Sequence, residues 1–244
     1  MSRAGSSVLV TGGTRGIGLA IALRLVRDGA SRAVLGYMRN DAAAEEAAEA
    51  MRAAGAEPVL VRGEVSKPRV IEELAAAGPY RVVVHNAATG VIRAALETDD
   101  RHWDWTLNAN ARALLSLARA TAPAMEPGSS IVAISSLGSQ RVLDNYVLVG
   151  TSKAALESVV RYLAVELGPR GIRVNAVSGG VVDTGALDYF PNKDEMLRTV
   201  ERTPAGRLVE PDDIAAAVSF LSSPESEMVR GQTIVVDGGF SLRA

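Results

Sequence analysis

The stretch 7-SVLVTGGTRGIGLAIALRLVRDG-29 decides how the chain folds. Its opening, 7-SVLVT-11, is β-branched and apolar on both faces, which reads as a buried strand. The turn 11-TGGTRGIG-18 follows at once, and 16-GIGLAIALRLVRDG-29 then reads as an amphipathic helix. Gly12, Gly16 and Gly18 thus sit between a strand and a helix, in a G-x3-G-x-G spacing rather than the commoner G-x-G-x-x-G. Glycines in that context allow a tight turn and let a pyrophosphate reach the amides of the helix N-terminus. An ordinary strand-to-helix turn would carry the same residues, so the turn by itself leaves both readings open.

Outward from that unit the pattern repeats. The runs 32-RAVLGY-37, 58-PVLVRG-63, 81-RVVVHN-86, 130-SIVAISS-136, 172-IRVNAV-177 and 233-TIVVD-237 read as further strands, most of them separated by helical segments such as 41-DAAAEEAAEAMRAAG-55. Strands apolar on both faces with helices between them predict an α/β fold, a doubly wound parallel sheet covered on both sides. Neither a linker nor a repeat interrupts it, so residues 1–244 are expected to form a single domain.

The bulk properties exclude several function classes. The chain has 244 residues, 48% of them hydrophobic, and a formal charge of -2. That balance carries no electrostatic footprint for nucleic acid. With no cysteine and two histidines far apart, His85 and His102, neither a disulfide framework nor a metal site is expected. No apolar run reaches the ~18 residues of a membrane span. Nothing in 1-MSRAGSS-7 resembles a signal peptide, so a cytoplasmic location is expected.

A dinucleotide site selective for NAD often places a carboxylate at the end of the second strand. Here 36-GYMRND-41 puts Tyr37 there and Arg39 just beyond, while Arg15 lies in the glycine turn. Two guanidinium groups suit a 2′-phosphate, which favours NADPH/NADP+ over NADH. Two solvated surface arginines would read the same way. Asp41 is expected to N-cap the following helix.

The ordered set 11-TGGTRGIG-18, 85-HNAA-88, Asn110, 134-ISS-136, Lys153 and 231-GQTIVVDGG-239 resembles the short-chain dehydrogenase/reductase family over essentially the whole chain. The resemblance implies a site built from a serine, a tyrosine, a lysine and an asparagine from a neighbouring helix. The family's usual tyrosine precedes the lysine by four residues and follows the serine by thirteen, and both counts land on Val149. An isopropyl group has no proton to give. Tyr146, seven residues before Lys153, returns to nearly the same helix face from about two turns, or ~10 Å, away. It is expected to face the pocket if the helix reaches that far, and to sit on the preceding loop otherwise. A plain packing role for Tyr146, with Val149 marking a dead site, is the competing reading.

The Tyr-x6-Lys spacing is similar to that of the family's NADPH-dependent enoyl-thioester reductases, the enoyl-acyl carrier protein reductase III type and the cyclohexenylcarbonyl-CoA reductases. The likeness extends to 102-HWDWTLNANARALL-115, 135-SSLGSQR-141, 175-NAVSGGVVDTGAL-187 and 203-TPAGR-207. It implies Tyr146 as enolate stabiliser and proton source, and Lys153 as the cation that holds the nicotinamide ribose and favours ionisation of the phenol. Ser136 would orient the carbonyl, and Asn110 would support a water chain to Lys153. Around the cofactor it implies Gly12, Thr14, Arg15, Gly16, Ile17, Gly18, Tyr37, Arg39, Asn40, Glu64, Val65, Asn86, Ala87, Lys153, Val182 and Thr184. Glu64 stands where aspartate is usual beside the adenine, and 85-HNAA-88 replaces the commoner Asn-Asn-Ala-Gly.

The segment 184–207, with Leu187, Tyr189, Phe190 and Met196, reads as a lid over an apolar or acyl substrate, or as a strip packed onto the body. Arg202 and Arg207 would meet an acidic acyl carrier protein or a CoA phosphate, unless they are simply solvated. The expected partners are a small-molecule or acyl-thioester substrate and further copies of the chain. A homodimer or homotetramer would use the helices near 107–122 and 152–167, with Val159, Tyr162 and Leu163 on the interface or, alternatively, against the chain's own sheet. Three functions remain open: C=C reduction of an enoyl thioester, C=O or C=N reduction of a secondary metabolite, and non-catalytic NADP binding.

Overall fold

Seven strands line up in a single parallel sheet of order β3-β2-β1-β4-β5-β6-β7. They are β1 (Ser6–Thr11), β2 (Ala30–Tyr37), β3 (Glu57–Arg62), β4 (Val82–His85), β5 (Ser130–Ser136), β6 (Arg173–Gly179) and β7 (Thr233–Val236). The computed structural model describes residues 5–183, 185 and 193–242. Each expected strand is present within two residues of its expected start, because apolar residues on both faces fit only a sheet covered on both sides.

Alternation along the strands feeds two separate cores. Leu9, Val83, Ile131 and Ala133 pack on one face, with Leu74 of α3 (Pro68–Ala76), Leu114 and Leu117 of α5 (Ala113–Thr121) and Leu156 and Val160 of α6 (Val147–Leu167). Val8, Val10, Val82, Val84 and Val132 point the other way. They meet Ile21 and Leu25 of α1 (Gly16–Arg27), Met51 of α2 (Asp41–Ala53) and Ile214 and Val218 of α8 (Pro211–Leu221). Among the described residues the other α-helices are α4 (Asp100–Leu107) and α7 (Lys193–Arg198).

One expectation needs correcting here, and the positions of several other residues bear on alternatives left open. Asn40, not Asp41, caps α2: its side chain accepts from the Ala43 amide at 3.0 Å, while Asp41 takes the Tyr37 hydroxyl at 2.9 Å. Leu163 is a core residue, 6% exposed, because its helical position faces the sheet. Tyr162, 71% exposed, points outward and Val159 packs partly on the core. Arg207 is committed to a two-point ion pair with Asp213 at 2.6 and 2.8 Å, and Asp213 in turn accepts from the Glu210 amide at the start of α8. Arg202 lies over the Phe240 ring, 5.8 Å from its centre.

The strand order reverses between β1 and β4, whose ends meet with Thr11 opposite His85. Crevices at such reversals, beyond the carboxyl ends of parallel strands, are where ligands bind in this architecture. Leu156 anchors α6, which carries much of the candidate site, to the sheet and is fully buried. Leu156→Ala is expected to cost about 2–5 kcal/mol of stability, read from urea unfolding followed by circular dichroism.

Candidate active site

At the turn after β1, Gly12 and Gly16 take φ of 63° and 52°, a region that favours glycine. A side chain at Gly18 would overlap the Gly12 carbonyl and the Asn86 amide group. Arg15, the residue before α1, gives no side-chain cap, so the first-turn amides are left for an outside acceptor. Asn86 donates to the carbonyls of Thr11 and Gly12 at 3.1 and 3.0 Å, which fixes this concave turn to β4. The geometry suits a pyrophosphate. Thr14 is buried beside the turn and Ile17 packs partly on the core behind it.

Arg15 and Arg39 are both exposed near this end, and neither has an ion-pair partner among the described residues. Glu64 accepts from the Ser66 hydroxyl at 2.6 Å and lies 3.8 Å from the Lys67 ammonium, so its own loop orients the carboxylate. Val65 is buried next to it, and Val182 is buried in a bridge to Val209. Thr184, Leu187, Tyr189 and Phe190 lie outside the described residues; Met196 sits half-buried on α7.

A closed hydrogen-bond circuit lies beneath the turn. The Thr11 hydroxyl oxygen accepts from the amides of Asn86 and Ala87, both at 3.1 Å. Its proton therefore goes to His85 Nδ1, 3.1 Å away, and His85 must carry its own proton on Nε2. Nε2 donates to the Asn110 carbonyl at 3.0 Å. Burial, and then the charge of Lys153, push the imidazole down to about 4. Asn110 itself lies in a π-helical turn, Asn108–Arg112, inserted between α4 and α5. Its side chain donates to the Thr89 carbonyl and the Ser152 hydroxyl and accepts from the Thr89 amide, all at 2.8 Å. Asn110 thus stitches the loop after β4 to α6.

Tyr146 stands at the N-cap of α6, so it is neither one of the helix's own residues nor remote in the loop. Its ring lies over Gly138, where an added Cβ would come within 2.5 Å of two ring carbons. Its hydroxyl donates to Ser136 Oγ at 3.3 Å. Burial pushes the phenol's pKa up and the Ser136 hydrogen bond pulls the other way. The Lys153 Nζ donates to the Ile134 carbonyl at 2.7 Å. Burial lowers the Lys153 ammonium to about 8, with Glu157 opposing that shift. Val149 turns away, its methyl packed on Gly90. Tyr146, Gly138 and Gly150 help line an open cleft of about 420 Å³, with Arg93 and Arg141 at its wall.

Set against known proteins, residues 12–241 match a family model described as enoyl-(acyl carrier protein) reductase. The chain belongs to the short-chain dehydrogenase/reductase family. Among its relatives, 1-cyclohexenylcarbonyl-CoA reductase from Streptomyces collinus is 35% identical over 97% of this chain and 87% of its own length. The hydroxynaphthalene reductase-like protein Arp2 of Metarhizium brunneum is also 35% identical, over 98% of this chain and 96% of its own. A short-chain dehydrogenase from Burkholderia cenocepacia, crystallised with NADP, superposes with a TM-score of 0.91 at 32% identity, covering 99% of this chain and all of that one.

Within this short-chain reductase, sequence reasoning missed Thr11, Ser152, Thr89 and Glu157, and saw His85 only as a departure from Asn. The one available signal was a histidine in an otherwise apolar strand end, which demands a partner. Because the folded state keeps His85 neutral, its stabilising share is complete above the unfolded value of about 6.5 and is lost as pH falls toward about 4. Unfolding free energy is expected to drop by on the order of 3 kcal/mol more in wild type than in His85→Asn across that window, measured by urea titration at each pH.

Proposed function

We propose that this chain is an NADPH-dependent reductase of the C=C bond in 2-enoyl thioesters, with Tyr146 as enolate stabiliser and proton donor. The observation that carries this reading is the seat of the phenol. Tyr146 projects from the N-cap of α6 and bonds Ser136, while Val149, one turn further in, is packed away on Gly90.

Carbonyl reduction needs a proton on the oxygen of the carbon that accepts hydride. In an enoyl thioester hydride goes to Cβ, and negative charge gathers on the thioester oxygen two bonds further along. A donor displaced by one helical turn suits that second oxygen. The bound nicotinamide supplies the hydride. Tyr146 and Ser136, already within hydrogen-bond reach of one another, offer two hydroxyls to the developing oxyanion. Protonation at Cα then completes a balanced addition of hydride and proton across the double bond. Lys153, buried on the same stripe of α6, has the position to hold the nicotinamide ribose. The first-turn amides of α1 and Asn86 suit the pyrophosphate end, and Arg15 and Arg39 suit a 2′-phosphate. The similarity to a 1-cyclohexenylcarbonyl-CoA reductase supports the same acceptor class.

Reduction of a C=O bond is the second reading, favoured by the equal identity to a hydroxynaphthalene reductase-like protein. A Tyr–Ser hydroxyl pair would also receive a ketone oxygen. The proposed homodimer or homotetramer, and an acyl carrier protein or CoA as the carrier, rest on the family resemblance.

NADPH oxidation, followed by absorbance with crotonyl-CoA and with a β-ketoacyl thioester, separates the two. The enoyl substrate is expected to be turned over, with kcat reduced by about 10²–10³ in Tyr146→Phe. Preference for the ketone would decide for the second reading. Val149→Tyr is expected not to create an efficient ketoreductase, since the larger ring has to displace the Gly90 contact; brisk ketone turnover by that variant would contradict the displaced-donor reading. In Arg39→Ala the Kd for NADPH should rise by roughly tenfold with that for NADH unchanged, measured by fluorescence titration.

A further inference from the structure

Glu157 is buried, 5% exposed, in a chain whose reduction chemistry has no direct use for it. Three side-chain donors converge on its carboxylate. Ser135 and Ser139 donate to Oε1 at 2.5 and 2.6 Å, and Gln140 Nε2 approaches Oε2 at 3.4 Å. These donors bracket Ser136 and the 3₁₀ turn Leu137–Ser139 that follows it. That turn also carries Gly138, the floor under the Tyr146 ring. Its carbonyl abuts α6 at Gly150, where a Cβ would come within 2.7 Å of the oxygen.

Positions 146, 150, 153 and 157 fall at i, i+4, i+7 and i+11, a single stripe of α6. The helix thus meets the turn at Gly150 and, about two turns further on, at Glu157, with Lys153 between them. Ser136 is bound from its own side by the Gly138 amide, 3.3 Å from its Oγ. A shift of the turn would move the serine hydroxyl, the floor beneath the phenol and the Ser136–Tyr146 hydrogen bond together.

We propose that Glu157 is a positioning residue for the reduction: it clamps the Ser136-bearing turn onto α6, and its charge sits one helical turn from Lys153. This rests on the reading that Ser136, Tyr146 and Lys153 form the reactive centre. A neutral plug would fill the space equally well, whereas a carboxylate gathers three donors and supports a buried ammonium. Among the described residues, the charged and titratable groups coupled to that ammonium are Glu157 from α6 itself and His85 from β4.

The test compares wild type with Glu157→Gln, Glu157→Ala and Ser139→Ala. Hydrogen exchange of the 135–141 amides, measured by mass spectrometry with NADPH present, reads the clamp without any acceptor substrate. Exchange there should quicken by about tenfold in Glu157→Ala and severalfold in Ser139→Ala, which removes one donor and keeps the fold, while α1 is unaffected. Glu157→Gln retains an acceptor for both serines but loses the charge. Lys153 then deprotonates at lower pH, so the alkaline fall in kcat, expected near pH 8 in wild type, should move to lower pH by roughly one unit, with KM for NADPH within about twofold. Ser139→Ala should lower kcat severalfold without moving that limb. Unchanged exchange in Glu157→Ala and Ser139→Ala, or an unmoved limb in Glu157→Gln, overturns the proposal. If wild type reduces neither thioester, the acceptor assignment falls, and the exchange measurement still decides for or against the clamp.

Discussion

One hydroxyl holds the reactive end of this molecule together. Thr11 closes β1, and its oxygen uses both lone pairs and its proton at once, accepting from two amides of the segment after β4 and donating to His85. His85 passes the bond on to the Asn110 carbonyl. The glycine turn, the end of β4 and the π-helical turn therefore have fixed relative positions across the reversal in strand order. The Thr11–His85 and His85–Asn110 links lie in the interior, where an unpaired polar group costs about 1–3 kcal/mol. Slippage of any one element would strand several at once, and that makes the circuit a constraint as well as a sum of bonds.

The same logic explains why histidine serves where asparagine is commoner in the family. An imidazole reaches from the strand end to the Asn110 carbonyl because its two ring nitrogens lie on opposite sides of a rigid ring. It must stay neutral to accept on one side and donate on the other. The nearby Lys153 ammonium and the lack of solvent both enforce that state.

The sheet was legible because parallel strands buried on both faces must be apolar throughout, and 81-RVVVHN-86 or 130-SIVAISS-136 have few other readings. That Val149 stands at the family's usual tyrosine position, with Tyr146 three residues earlier, came from the spacing that the resemblance implies. Where Tyr146 sits relative to α6 was not legible, because a cap position depends on how the loop before it closes. Asn145, with φ of 59°, makes that turn, and its carbonyl accepts from the Arg93 amide at 2.8 Å, a contact across fifty-two residues. The bond from Lys153 to Ile134 and the donors around Glu157 escaped for the same reason. A buried glutamate one turn after a lysine looks in sequence like any surface i, i+4 pair. Only the packing of α6 on β5 reveals that both side chains point inward.

On the proposed reading, a proton donor moved by three residues is a different matter from a donor lost. Between positions 149 and 146 the chain passes from a buried helical turn to its cap, and the accessible direction changes with it. Val149 is buried and faces Gly90 in the loop after β4. Tyr146 faces Ser136 and the cleft, with Gly138 giving the ring room. Burial holds the phenol in its protonated form, which favours an acid that donates over a base that waits for a proton. Lys153 donates to the Ile134 carbonyl, and the Ser136 hydrogen bond works against the upward push that burial exerts on the phenol. Serine and tyrosine are therefore the natural pair for an incoming oxygen, and the precision of their spacing falls on the turn that connects them.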